Sequence, residues 1–170
     1  MRTSKKNKPW FFFEVLDIPG LTGYNMYDRG FMCICREGGD TMTGIESLSH
    51  IKDADSVDNI REMTRCFISE VNPLKVILFG SFANGTYTDE SDYDFYLVID
   101  DGRSVGEATD EAYNSVMYVK KRPVDIVVGT NSRFERKGKS RHSLMVEGEV
   151  QRNGILLYDQ MANAARRVGV

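Results

Sequence analysis

A chain of 170 residues, 41% apolar and 28% charged, has material for one hydrophobic core and would be cramped by a second. Its formal charge of -3 carries no basic excess, which argues against a broad nucleic-acid-binding surface and points to a protein or small-molecule acceptor. Cys33, Cys35 and Cys66 cannot all pair within one chain and lack the dense spacing of a disulfide-stapled secreted domain, so a reducing cytoplasm is expected.

Lys5, Lys6 and Lys8 ahead of Trp10, Phe11, Phe12 and Phe13 imitate the start of a signal peptide, but Glu14 and Asp17 interrupt the apolar run too early. No stretch is long enough to span a bilayer, so no membrane association is expected. Residues 1–41 are rich in glycine and aromatics without a sustained period and read as an appendage. Two origins fit it: sequence upstream of a natural start at Met42, or an arm that docks a partner. The pair Cys33 and Cys35 has no second Cys/His pair at zinc spacing and reads as two ordinary thiols.

The domain proper is expected over residues 42–160. From Asp53 the residues Val57, Ile60, Met63, Phe67, Ile68 and Val71 recur at three- and four-residue steps, predicting an amphipathic helix capped by Asp53, Asp55 or Ser56 and stopped before Pro73. Residues 75–79 form a short β-branched run suited to a buried strand that breaks at Gly80-Ser81. A second strand is expected over 92–99, where the period of two sets Asp92, Asp94, Tyr96 and Val98 on one face. A helix over 104–120 follows, then a basic turn at Lys120, Lys121 and Arg122, and a third strand over 124–128 with Asp125 embedded among apolar neighbours. Arg136, Lys137, Lys139, Arg141 and His142 read as a mobile basic loop. A last helix over 143–152 leads through Gly154 into an apolar run at 155–158, and residues 161–170 read as a polar, frayed tail. This order implies an α/β fold with a small mixed β-sheet and flanking helices.

The chemistry concentrates in two places. Gly80 after a buried strand lets backbone approach a phosphate, and the Ser81 hydroxyl with the amides of a following helical turn can donate to its oxygens. Separated from Ser81 by ten residues come Asp92 and Asp94, two carboxylates that repel each other on one strand face unless a cation sits between them. Asp125 inside Val-Asp-Ile-Val-Val adds a third, since an unpaired buried charge there would be heavily penalised. Three acids on neighbouring strands suit a hard cation such as Mg²⁺ or Mn²⁺.

Gly-Ser, ten residues, then Asp-x-Asp resembles the signature of the minimal nucleotidyltransferases of the DNA polymerase β superfamily. Residues 123–127 resemble the strand that supplies that family's third carboxylate, and residues 147–158 resemble its closing helix and strand; the similarity covers roughly residues 55–160. The resemblance implies a polymerase β-like fold, ATP or another nucleoside triphosphate as substrate, Asp92, Asp94 and Asp125 as metal-binding catalytic carboxylates, and Gly80 and Ser81 as phosphate anchors. It further implies transfer of AMP to a hydroxyl, on a partner such as a HEPN-domain toxin. Asn84 departs from the arginine often found in the family's Gly-Ser loop, which leaves Lys75, Lys120, Lys121 or Arg122 to supply cationic help. Glu147 and Glu149 are candidates for an additional base, although a helix so charged favours a solvated face; His50 and His142 carry no assigned role. Two alternatives stand beside this: a non-catalytic antitoxin-like docking module, and an aminoglycoside-type transferase, whose antibiotic cleft a partner or homo-oligomer would have to complete.

Overall fold

The structure is a computed structural model in which residues 48–138 and 145–168 are described. The appendage at 1–41, Cys33 and Cys35, and the basic residues Lys139, Arg141 and His142 lie outside those ranges.

The first helix, α1 (Ala54–Cys66), starts where the Asp53 side chain accepts from the Asp55 amide at 3.1 Å and from the Ser56 hydroxyl at 2.6 Å. Its periodic residues Ile60, Met63 and Cys66 are buried, and the register carries on into a single π-helical turn, Phe67–Val71. Asn72, in the left-handed region at φ 48°, ends that turn just ahead of Pro73. Strand β1 (Lys75–Phe79) follows, then a short helix α2 (Gly80–Asn84), strand β2 (Tyr93–Ile99), helix α3 (Val105–Val116) and strand β3 (Val124–Thr130). Ser104 caps α3 by accepting from the Glu107 amide. The helix stops at Val116, short of the expected 120, although the amides of Val119 and Lys120 still donate to the Val116 carbonyl.

Two elements depart from expectation. Helix α4 (Asn131–Gly138) takes in Arg136 and Lys137, the start of the segment read as a mobile basic loop, and the tail read as frayed contains helix α6 (Gln160–Val168). Sparse apolar content hid α4, whose buried Phe134 packs on Tyr96 at 5.4 Å between ring centroids. The start of α6 is held by Asp159, which accepts from the amides of Met161 and Ala162. Between them lie helix α5 (Val146–Asn153) and strand β4 (Ile155–Asp159).

Among the described residues the strands form one mixed sheet in the order β3-β2-β1-β4. β2 runs parallel to β3 and antiparallel to β1, and β1 runs antiparallel to β4 with an irregularity between Val76 and Ile77. The expected α/β class with a small mixed sheet is observed. Alternation divides the sheet into two faces. Val76, Leu78, Tyr93, Phe95, Leu97, Ile99, Val124, Ile126 and Val128 build the larger core with Ile60, Met63, Phe67, Ala108 and Val116 of the helical layer. Ile77, Phe79, Tyr96 and Val98 point the other way and pack with Phe134 and Val150 from α4 and α5. No helix among the described residues is long and apolar enough to cross a membrane.

Candidate active site

The turn out of β1 determines the site's local geometry. Gly80 sits at φ 68°, a left-handed conformation that side chains rarely adopt, and a methyl added there would stand 2.1 Å from Asp94 Oδ2. The missing side chain is therefore the space the Asp94 carboxylate uses. Behind it, Ser81, the second residue of α2, is half-exposed, and its carbonyl accepts from the amides of Gly85, itself at φ 72°, and of Thr86 at 3.0 Å. Phe82 is fully buried, stacked on Tyr87 at 4.5 Å and tilted against Tyr93 at 4.7 Å, so it pins the short helix to the core. His50, given no role from the sequence, bonds the Phe82 carbonyl through Nε2 at 2.8 Å and braces the same turn.

The acids come from the next two strands. Asp94 is the second residue of β2, and it stands directly opposite Asp125 in the parallel register with β3. Paired residues on neighbouring strands lie about 5 Å apart and share a face, so both carboxylates project on the side away from the larger core. Asp92 does not belong to the strand as expected; it is exposed one residue before β2 begins, so alternation does not set its direction. Asp125 differs from expectation too. It is exposed rather than embedded, because β3 is an edge strand whose Val124 and Ile126 turn inward while Asp125 turns out.

Electrostatics tie the acids together. Partial burial is the largest influence on Asp94, followed by the negative charges of Asp125, Asp92 and Glu149, and together they push its carboxyl up to about 6. No cation offsets these charges in that balance. The candidate cations go elsewhere: Lys75, at the far end of β1, pairs with Asp159. Arg122 donates to the Thr88 and Asp89 carbonyls at 3.3 and 2.5 Å and lies over the Phe82 ring at 5.8 Å, so it clamps the loop between α2 and β2. Lys120 and Lys121 are exposed on the turn before β3.

Helix α5 carries a residue whose surroundings the sequence reading missed. Glu147, expected on a solvated face, is 0% exposed; its Oε1 accepts from Arg133 Nε at 2.6 Å and from the Tyr96 hydroxyl at 3.3 Å. Burial would raise its carboxyl, but its own amide, Arg133 and Tyr96 outweigh that and hold it below the ordinary carboxylate range. Tyr96 is correspondingly raised, first by burial and then by the Glu147 charge. The available signal was that Val146 and Val150, one helical turn apart, flank Glu147 on the side facing the sheet.

The donors around Asp94 are carboxylate oxygens, the set that suits Mg²⁺ or Mn²⁺, and the half-buried Asp94 carboxylate packs its Oδ2 into the space a side chain at Gly80 would fill. Among the described residues no three His, Cys, Asp or Glu side chains stand close enough to enclose an ion by themselves. That is compatible with Mg²⁺, which keeps waters and substrate phosphates as most of its ligands.

The nucleotidyltransferase domain family model matches residues 60–153, more than half of the chain. A solved protein of Sulfolobus solfataricus assigned as a nucleotidyltransferase is 21% identical over 65% of this chain and 92% of its own, with a TM-score of 0.39. A toxin-antitoxin solved with AMP-PNP is 19% identical over 65% of this chain and 80% of its own, with a TM-score of 0.36. No curated protein matches the chain. The family match spans the strands that bear Asp94 and Asp125 and the turn at Gly80, and this chain belongs to the nucleotidyltransferase domain family.

Proposed function

We propose that this nucleotidyltransferase is a cytoplasmic enzyme that moves AMP from ATP to a hydroxyl of a partner protein, a HEPN-domain toxin, with Asp92, Asp94 and Asp125 as its catalytic carboxylates. The observation that carries the reading is the in-register pairing of Asp94 with Asp125, backed by a glycine whose missing side chain accommodates the Asp94 carboxylate. A pure docking surface gains nothing from holding like charges together, whereas phosphoryl-type transfer uses such acids to hold the cation that would neutralise charge on the phosphates. The HEPN partner rests on the resemblance of the Gly-Ser and Asp-x-Asp signature.

The three carboxylates would hold Mg²⁺ or Mn²⁺, which supplies charge neutralisation on the phosphates and a lowered pKa for the acceptor hydroxyl. Gly80 keeps backbone close to the triphosphate, while the Ser81 hydroxyl and the first amides of α2 donate to its outer oxygens. His50 and Arg122, holding α2 and the following loop, keep that seat from shifting as the substrate binds. The acceptor oxygen attacks the α-phosphorus, the bond to the bridging oxygen breaks, and pyrophosphate leaves. Asn84 adds a neutral amide where a guanidinium would give two donors, so triphosphate binding leans on the backbone and on the cation.

The test is incubation with α-labelled ATP and Mg²⁺ in the presence of a HEPN protein encoded beside this chain. Label on the partner that disappears in Asp92→Ala with Asp94→Ala supports the reading. Partner binding that survives both substitutions with no transfer by the wild type overturns it in favour of a docking module.

A further inference from the structure

Resting on the proposed role of Asp92, we infer that Arg122 is the positioning residue for that carboxylate and does not itself hold the triphosphate. Asp92 stands one residue before β2, where alternation sets no direction, and among the described residues no hydrogen bond or ion pair holds its side chain. Its aim therefore depends on the backbone to either side of it. Both sides are gripped from the turn that leads into β3. Before Asp92, Arg122 Nη1 donates to the Thr88 and Asp89 carbonyls at 3.3 and 2.5 Å. Thr88 is in turn tied to Ser91: its amide donates to the Ser91 hydroxyl at 2.8 Å, and its carbonyl accepts from the Ser91 amide at 3.1 Å. After Asp92, the Tyr93 amide donates at 3.0 Å to the carbonyl of Pro123, the next residue after Arg122. The buried Tyr93 hydroxyl donates to Ser56 at 3.0 Å, the Ser56 hydroxyl donates to Asp53 at 2.6 Å, and Asp53 Oδ2 lies 3.8 Å from Arg122 Nη2. One guanidinium thus closes a ring that runs through both chain neighbours of Asp92.

Two features favour bracing over phosphate binding. Arg122 has both terminal nitrogens engaged and its guanidinium over the Phe82 ring at 5.8 Å, so swinging out to a substrate would open the ring it closes. A planar fork is also what lets one side chain serve two carbonyls, a carboxylate and an aromatic face together; an ammonium on a flexible stem offers only a point charge. The brace has a second consequence, because Arg122 lies three residues before Asp125 and opens the turn into the strand that carries it. Holding the loop to that turn ties the place of Asp92 to the strand of Asp125, and slippage of the loop would part the two acids.

Arg122→Lys keeps the charge and removes the fork. Amide hydrogen exchange on the metal-free full chain reads the brace directly: the Ser91 and Tyr93 amides are expected to speed up about tenfold more than the Leu97 amide in the middle of β2, which reports global opening. Titration of Mn²⁺ with a non-hydrolysable ATP analogue, followed by the spin-resonance signal of free Mn²⁺, reads the consequence without turnover. Arg122→Lys is expected to weaken Mn²⁺ about tenfold in the wild-type background and to add nothing in the Asp92→Asn background, the coupling that action through Asp92 requires. Equal weakening in both backgrounds overturns the inference and returns Arg122 to the triphosphate. Unchanged Mn²⁺ affinity, or an equal gain in exchange at Ser91, Tyr93 and Leu97, overturns it as well and leaves the Asp92, Asp94, Asp125 reading standing. Wild-type Mn²⁺ affinity in Asp92→Asn, or no Mn²⁺ uptake by the wild type with the analogue present, removes the reading of Asp92 itself, and this inference with it.

Discussion

The Cβ that Gly80 lacks would stand 2.1 Å from Oδ2 of Asp94, so the turn after β1 and the first acid of β2 share one space. Gly80→Ala must pay for a left-handed backbone and displace the carboxylate. The expected cost is about 2 kcal/mol of stability. On the proposed role of Asp94, displacing its carboxylate by about 1 Å is expected to lower transfer by roughly a hundredfold. Denaturant unfolding and the labelled-ATP assay measure the two separately, and a fully active variant would show that the close approach is not needed.

The pH dependence follows from Asp94, whose carboxyl is raised from 3.8 to about 6 by burial and by the charges of Asp125, Asp92 and Glu149. The folded chain binds this proton more tightly than the unfolded one, so cation-free stability should fall as pH rises from 4 to 6 and level off above that. Divalent binding needs the ionised form, so Mn²⁺ affinity should climb by up to about tenfold per pH unit below 6 and flatten at neutral pH. Asp94→Asn should flatten the stability slope, remove the Mn²⁺ response and leave the metal-free Tm equal or higher. Thermal melts at several pH values, with and without the ion, read all three.

Glu147→Ala should destabilise by about 2 kcal/mol, less than a fully enclosed pair because Arg133 can regain water. The Arg133 side chain is 48% exposed, which is why its rehydration is available. The Glu147 carboxyl is held below its ordinary range, so its stabilising contribution is present above that range and lost as pH falls through its lowered folded value. Chemical denaturation at neutral and at acid pH should show the variant's deficit shrinking in acid; a constant deficit would contradict the ion pair.

Lys75→Gln provides the converse. Lys75 is four residues from Phe79 along β1, about 13 Å from the site, and its ammonium pairs with Asp159. The substitution should cost about 1 kcal/mol, as partly exposed pairs do, and leave nucleotide affinity unchanged. Equilibrium binding of a fluorescent ATP analogue decides; a large loss of affinity would return Lys75 to the list of phosphate-binding residues.

Legibility in the sequence followed local periodicity. The helical steps from Val57 to Val71 and the apolar run at 75–79 depend on nearest neighbours along the chain, and α1 and β1 appear where those patterns stand. α4 was missed because one apolar residue, Phe134, gives no period, and its partner Tyr96 is 38 positions away. Glu147 was assigned to solvent for the same reason: its charge is visible in the sequence, while Arg133 and Tyr96, which make burial affordable, come from a different helix and a strand.

The sequence alone determined the candidate residues: a Gly-Ser turn after an apolar strand, two acids beyond a gap of ten residues, and a third acid in a later apolar run, because composition and period are properties of short stretches. Only the tertiary structure decided their relations. It paired Asp94 with Asp125 through the parallel register, left Asp92 just outside the strand, turned Asp125 to the surface of an edge strand and brought the charge of Glu149 into reach of Asp94. Those outcomes depend on which strands become neighbours and how helices cross them, and that is fixed by packing between residues far apart in the chain.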